Sequence, residues 1–81
     1  MEDKLISEFQ KNAIEKVRIF LREYRGKKLV DIRIWVEREK GELIPTKKGL
    51  SLTIEKYPSL QEALKSLEKE LGKNSQMLKQ K

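Results

Sequence analysis

Two neighbouring runs of alternating apolar and polar residues constrain this chain more than any other feature. The first run is KVRIFLREY at 16–24, the second is KKLVDIRIWVE at 27–37, and Arg25 and Gly26 separate them. Alternation with a period of two predicts strands with one buried face. A two-residue break that contains glycine predicts a tight antiparallel hairpin between them.

The same alternation divides the side chains of the two runs into an apolar and a mixed group. The apolar group is Val17, Ile19, Leu21, Val30, Ile32, Ile34 and Val36. The opposite group is Arg18, Phe20, Arg22, Tyr24, Leu29, Asp31, Arg33 and Trp35. Arginines interleaved with aromatic rings are a poor composition for a merely solvated surface. Because arginine neutralises phosphate and rings stack on bases, this side suits a single-stranded nucleic acid.

A further motif extends from Tyr24 to Leu52. It consists of YRGKKLVDIR at 24–33, of Gly41, Glu42 and Pro45, and of KKGLSL at 47–52. This motif resembles that of the positive cofactor four family of single-stranded DNA-binding transcriptional coactivators. Order and spacing hold over roughly residues 9–71, and they are most similar to short bacterial, archaeal or phage members. The resemblance implies an α+β fold, with a curved four-stranded antiparallel sheet and one C-terminal helix. It also implies a homodimer whose two concave sheet faces hold single strands.

Residue by residue, the resemblance places Tyr24 at a base-stacking position, Arg22 and Arg33 at the sheet arginines, and Lys47 and Lys48 in a basic turn. Two positions depart from the family pattern. The second stacking aromatic of the family aligns with Val36, one residue after Trp35, so either a bulge shifts the face or Trp35 takes a neighbouring aromatic position and the second stack is weakened. The basic position before the turn proline is Ile44 here.

The chain is predicted to hold one domain. Residues 1–14 are predicted to be an irregular lead-in, which could include a short strand or a helical turn. Residues 15–72 are predicted to be the single-stranded DNA-binding coactivator-like domain, and residues 73–81 a flexible basic tail.

Beyond the first hairpin, glycine and proline divide the pattern further. EREKG at 37–41 predicts a turn into a third strand near 42–46. TKKG at 46–49 predicts a tight basic turn, with Gly49 free to adopt a positive φ. A fourth strand then follows at 50–54, with its alternating apolar residues on the buried side.

From Pro58 onward the apolar spacing changes to that of a helix. The residues on one helical face are Leu60, Ala63, Leu64, Leu67 and Leu71. This spacing predicts a helix over 58–71, ended by Gly72 in the left-handed conformation. The leucine face is expected to pack on the apolar side of the sheet, with the remainder available to a dimer partner.

Composition favours a binding protein over an enzyme. The net charge is +6, and residues 11–48 carry twelve Lys or Arg against six Asp or Glu. Such an excess can serve solubility as well as phosphate binding, and the interleaved rings favour binding. Histidine and cysteine are absent, which removes the commonest catalytic bases, nucleophiles and transition-metal ligands. We therefore expect no catalytic residue, no metal and no cofactor.

The sequence thus predicts a cytoplasmic, homodimeric single-stranded DNA-binding protein that regulates transcription with little sequence preference, nucleoid-associated in a prokaryote. No membrane or small-molecule partner is expected. The predicted binding residues are Arg18, Phe20, Arg22, Tyr24, Lys27, Arg33, Trp35, Lys47 and Lys48. Two alternatives stay open, an RNA-binding protein and an interaction adaptor for an acidic partner. The sequence also leaves open whether Trp35 lies on the binding face or in the core.

Overall fold

The chain folds into an open antiparallel sheet followed by a helix, in a computed structural model that describes residues 3–73 apart from the side chain of Lys73. The described elements are β1 (Lys4–Gln10), β2 (Glu15–Tyr24), β3 (Lys27–Glu37), β4 (Leu43–Thr53) and α1 (Tyr57–Lys73). Each strand pairs antiparallel with the next in sequence order. The predicted four-stranded antiparallel sheet and C-terminal helix are therefore confirmed.

The hairpin between β2 and β3 is as the sequence predicts. Tyr24 pairs with Lys27, and the two loop residues between them both have positive φ, 52° at Arg25 and 80° at Gly26. Positive φ at both loop positions is the conformation that matches the right-handed twist of paired strands. The loop therefore fixes the register in which the two alternating runs meet.

Residues 4–10 of the predicted lead-in form the edge strand β1, which is the strand that the sequence left open as one possibility for this segment. A register shift between Leu5 and Ser7 interrupts the alternation, and every residue of the strand is exposed. Neither a period of two nor a buried face is therefore visible in its sequence. The turn into β2 is held by Asn12, whose Oδ1 accepts hydrogen bonds from the backbone N–H groups of Ile14 at 3.1 Å and Glu15 at 2.9 Å.

The predicted third strand, basic turn and fourth strand are instead the single strand β4. Arg33 pairs with Gly49 and Trp35 pairs with Pro45, so three residues of β4 lie opposite Ile34 and form a bulge. The Thr46 hydroxyl donates to the Ile34 carbonyl at 2.8 Å and accepts from the Lys48 N–H at 3.1 Å. These bonds replace part of the ladder that the bulge interrupts, which is why the strand continues.

Gly49 is required for close approach and not for a positive φ, so that prediction is wrong. A Cβ built on Gly49 would lie 2.5 Å from the Ile32 carbonyl oxygen and 2.8 Å from the Arg33 Cα. Any side chain there would push β4 away from β3.

The helix α1 extends one residue earlier and two residues later than predicted, because Gly72 continues it. Gly72 is not among the residues with positive φ, so the predicted left-handed stop is wrong. The leucine face does not form a core with the sheet of this chain, since Leu64 and Leu67 are each 51% exposed. That expectation is also wrong within the described residues.

The apolar face of the sheet, defined by Val17, Ile19, Leu21, Val30, Ile32, Ile34 and Val36, is likewise incompletely covered. Cross-strand pairs such as Ile19 with Ile32 and Leu21 with Val30 lie on it. No apolar side chain in residues 3–73 is fully buried. An apolar sheet face and a leucine face that both remain open are the kind of surface that marks an interaction site.

The predicted basic tail lies outside the described residues from position 74 onward. No helix in the described part of the chain is long and apolar enough to cross a membrane.

Replacing Gly49 with alanine should destabilise the protein by about 1–3 kcal/mol, because the added methyl group has no space against β3. Gly72→Ala is the matched control, since a Cβ there meets nothing within 4 Å. It should be neutral or stabilising by up to about 1 kcal/mol because alanine favours helix. Chemical denaturation of both variants at one protein concentration measures the difference. Equal stability of the two variants would contradict the tight β3–β4 approach.

Candidate nucleic-acid interface

The sheet has a polar face on the side opposite its apolar face, as the alternation predicts. Backbone register pairs Arg18 with Arg33 and Phe20 with Asp31, so these side chains share one side of the sheet. The members of the polar face on β2 and β3 are Lys16, Arg18, Phe20, Arg22, Tyr24, Lys27, Leu29, Asp31, Arg33 and Trp35. The structure therefore brings together the predicted site residues of these two strands.

Asp31 lies at the centre of the polar face and is 2% exposed. Its carboxylate accepts hydrogen bonds from Arg33 Nη2 at 2.8 Å, Arg33 Nε at 3.1 Å and the Ser51 hydroxyl at 2.6 Å. Arg22 Nε lies 3.6 Å from the second carboxylate oxygen. One buried carboxylate thus links β2, β3 and β4.

The surroundings of Asp31 keep it ionised. Burial opposes the charged form, but the hydrogen bonds from Arg33 and Ser51 and the charges of Arg33 and Arg22 outweigh it, so the pKa of Asp31 falls below its ordinary value of 3.8. The same pair raises the pKa of Arg33. The arrangement is a structural ion pair and not a general base.

Two further carboxylates reach the polar face from the β1 side of the sheet. Glu8 accepts a hydrogen bond from Arg18 Nε at 2.8 Å and lies 3.6 Å from Lys16 Nζ. Asp3 accepts from Arg22 Nη1 at 2.8 Å. The hydrogen bond from Arg18 and the nearby cations lower the pKa of Glu8. Neither carboxylate is predicted from the sequence, because the irregular register of β1 gives no signal of the face on which they lie.

The rings of the polar face fall into two environments. Phe20 and Trp35 stack on each other with centroids 5.5 Å apart, and the Arg18 and Arg22 guanidinium groups cover them at 4.8 Å from Trp35 and 5.2 Å from Phe20. Trp35 is therefore on the polar face, half-buried, with Nε1 buried and unbonded among the described residues. Tyr24 is 58% exposed, with Arg25 over its ring at 5.2 Å, and can receive a base.

The two lysines of the β4 bulge lie in different surroundings. Lys47 lines a shallow depression together with Arg22, Asp31, Arg33 and Ser51. Lys48 instead adds its charge to the hydrogen bonds from Asn12 and Lys11 that lower the pKa of Glu15. Glu15 pairs with Val36 of the apolar group, so Lys48 lies towards the opposite side of the sheet.

Lys27 lies at the β2–β3 hairpin and contributes its charge near Glu55, whose pKa is lowered mainly by hydrogen bonds from its own backbone and Thr53. Within residues 3–73 no group of three or more potential metal-binding side chains comes together. The polar face carries several cations, one exposed aromatic ring and a central depression. Together these groups can hold a phosphate and a base.

These features define the class of the chain: a small α+β protein with an open sheet, one cation-rich aromatic face and a C-terminal helix. The chain belongs to the PC4 family of transcriptional coactivators, since residues 11–63 match the family described as Transcriptional Coactivator p15 (PC4). The resemblance found in the sequence is thereby confirmed.

Individual relatives agree with this assignment. The chain is 36% identical over 61 residues to the RNA polymerase II transcriptional coactivator KELP of Arabidopsis thaliana, covering 67% of this chain and 36% of the relative. The chain therefore spans about a third of the length of that relative.

Solved structures of bacterial and phage PC4 homologues have the same fold. A PC4 homologue from Burkholderia pseudomallei has a TM-score of 0.76 at 33% identity, over 83% of this chain and 98% of that one. A bacteriophage T5 homologue of PC4, described as implicated in recombination-dependent DNA replication, has a TM-score of 0.69 at 29% identity, over 98% of both chains.

Asp31→Asn should lower the free energy of unfolding at pH 7 by up to about 3 kcal/mol, because it leaves two arginines without their shared partner. The pKa of Asp31 is depressed on folding, so its stabilisation is present above the ordinary value of 3.8 and is lost as pH falls through the folded value. The difference in free energy of unfolding between parent and variant should therefore become smaller below about pH 4.

Denaturation at pH 7 and pH 3, at one protein concentration, measures both effects. Glu62→Gln is the control, because it removes a carboxylate that is 77% exposed and 3.9 Å from Lys65. It should match the parent at both pH values. The assigned role would be contradicted if Asp31→Asn and the parent had the same free energy of unfolding at pH 7. It would also be contradicted if their difference at pH 3 were as large as at pH 7.

Proposed function

We propose that this chain binds single-stranded DNA through its polar face and acts as a transcriptional coactivator or regulator on melted or unpaired DNA. The observation that carries the proposal is the presence of Tyr24, an exposed ring, on the same face as the depression lined by Arg33 and Lys47. Cations can hold the sugar–phosphate backbone while the ring stacks on a base, which gives affinity with little sequence preference.

Membership of the PC4 family supports a role in transcription. The T5 relative, described as implicated in recombination-dependent DNA replication, supports an additional role on exposed strands during replication. We place the protein with cellular DNA in the cytoplasm, associated with the nucleoid if the source is a prokaryote, and we assign it no catalytic activity.

The working form is proposed to be a homodimer. The uncovered apolar face of the sheet and the half-exposed leucines of α1 support this, since a second copy offers matching apolar surfaces. Two-fold symmetry would place two polar faces in one particle, and long looped strands or melted bubbles could then occupy both.

Binding of equal-length oligo-dT, oligo-U and duplex DNA tests the proposal. Oligo-dT should bind more tightly than duplex, and the logarithm of its binding constant should fall linearly with log salt, by about 0.7 per phosphate contacted. Fluorescence anisotropy over a salt series measures both. Tighter binding of oligo-U would favour the RNA-binding alternative, because stacking and phosphate contacts do not select deoxyribose. Tightest binding to an acidic peptide would favour the adaptor alternative.

Tyr24→Ala should weaken oligo-dT binding by about 1–3 kcal/mol, the range for one lost base–aromatic stack, with the salt slope unchanged. Tyr24→Phe keeps the ring and should bind like the parent. Anisotropy titrations of the two variants at several salt concentrations separate stacking from charge. If Tyr24→Ala binds like the parent, the stacking role of Tyr24 is wrong.

A further inference from the structure

The cations of the polar face differ in whether a carboxylate pairs with them. On the β1 side, Glu8 forms ion pairs with Arg18 (Nε–Oε1, 2.8 Å) and Lys16 (Nζ–Oε2, 3.6 Å). Asp3 forms an ion pair with Arg22 (Nη1–Oδ2, 2.8 Å). On the β4 side, Lys47 makes no ion pair within the part of the chain that the structure describes. A phosphate reaching the β1 side therefore meets cations that carboxylates already occupy.

The depth of each carboxylate decides whether it competes with phosphate. The Asp31 side chain is 2% exposed and that of Arg33 is 21% exposed. Arg33 donates from Nε and Nη2 to Asp31 and from Nη1 to the Thr46 carbonyl, which leaves two of its five N–H groups for a phosphate. The side chains of Glu8 and Asp3 are 35% and 42% exposed and stand at the surface beside Arg18 and Arg22. They lie where an approaching phosphate would be and repel it.

We propose that Asp3 and Glu8 determine where a strand lies on the polar face: Glu8 blocks phosphate from Arg18 and Lys16, Asp3 blocks it from the part of Arg22 that it bonds, and phosphate is directed to Arg33 and Lys47. This inference rests on the proposed function. Phosphate contacts fix the position of a nucleic acid and bases add preference, so the two carboxylates set the position of the backbone. They also limit affinity, because each removes a cation from the surface that a strand can use.

A double-mutant cycle on Glu8 and Arg18 tests the proposal in the full chain, with oligo-dT as the probe. Glu8→Gln should tighten binding roughly two- to fivefold, the size expected for release of one surface ion pair. It should also steepen the salt slope by about 0.7, one phosphate contact. Lys47→Ala should weaken parent binding more than Arg18→Gln does, because Glu8 already pairs with Arg18 in the parent.

The decisive variant is Glu8→Gln combined with Arg18→Gln. It should lose most of the gain, because Arg18 is the closer of the two cations that Glu8 pairs with and only Lys16 remains. Glu62→Gln makes the same change in net charge on α1, away from the polar face, and should bind like the parent. Melting temperatures verify that all variants are folded. The inference is overturned if Glu8→Gln binds oligo-dT like Glu62→Gln or more weakly than the parent. It is also overturned if the double variant keeps the full gain in affinity.

The titration of the parent protein distinguishes failure of the inference from failure of the proposed function. A parent that binds oligo-dT with salt dependence, while Glu8→Gln has no effect, overturns the inference and leaves the proposed function in place. A parent that does not bind oligo-dT overturns the proposed function, and the inference with it.

Discussion

The ion pair between Asp31 and Arg33 is the interaction on which the polar face depends. Arg18 and Arg33 lie directly opposite each other on β2 and β3, and like charges in that position repel. The repulsion is relieved because the two guanidinium groups turn to different carboxylates, Arg33 to buried Asp31 and Arg18 to exposed Glu8. Asp31 also accepts from Ser51 at 2.6 Å, which joins the basic face to β4. A face that is rich in cations can therefore exist before any nucleic acid is present.

The sequence was most informative where the strands are regular. Alternation in β2 and β3 predicted the hairpin, its loop and the membership of the polar face. The sequence was least informative where the pairing register between strands shifts. This happens in β1 after Leu5 and in β4 at the bulge formed by residues 46–48. Thr46 bridges the bulge through its hydroxyl, and Gly49 allows β4 to approach β3 closely. In the sequence, threonine and glycine at these positions are equally typical of a turn. The different surroundings of Lys47 and Lys48, and the reach of Glu8 onto the polar face, follow from those same irregularities.

The open apolar surfaces connect the fold to the proposed assembly. A sheet whose apolar face lacks a single fully buried side chain in residues 3–73 gains little from burial within one chain. Its strands are held by backbone pairing, by Asn12 and Thr46 at the irregular positions, and by the Asp31 pair. Covering the apolar face with a second copy would stabilise the sheet while leaving the polar face free. Stability and binding then use opposite sides of the same strands.

Single-stranded DNA is proposed to occupy the polar face and to leave the apolar face untouched. Titrating unlabelled oligo-dT into isotope-labelled protein, with side-chain resonances followed by NMR, tests this most directly. We expect saturable shifts of the Tyr24 ring, the Arg33 guanidinium and the Lys47 ammonium group, with the methyl groups of Ile19 and Ile32 unchanged. Shifts confined to the apolar-face methyl groups, or no saturable shift of Tyr24 and Arg33, would contradict it.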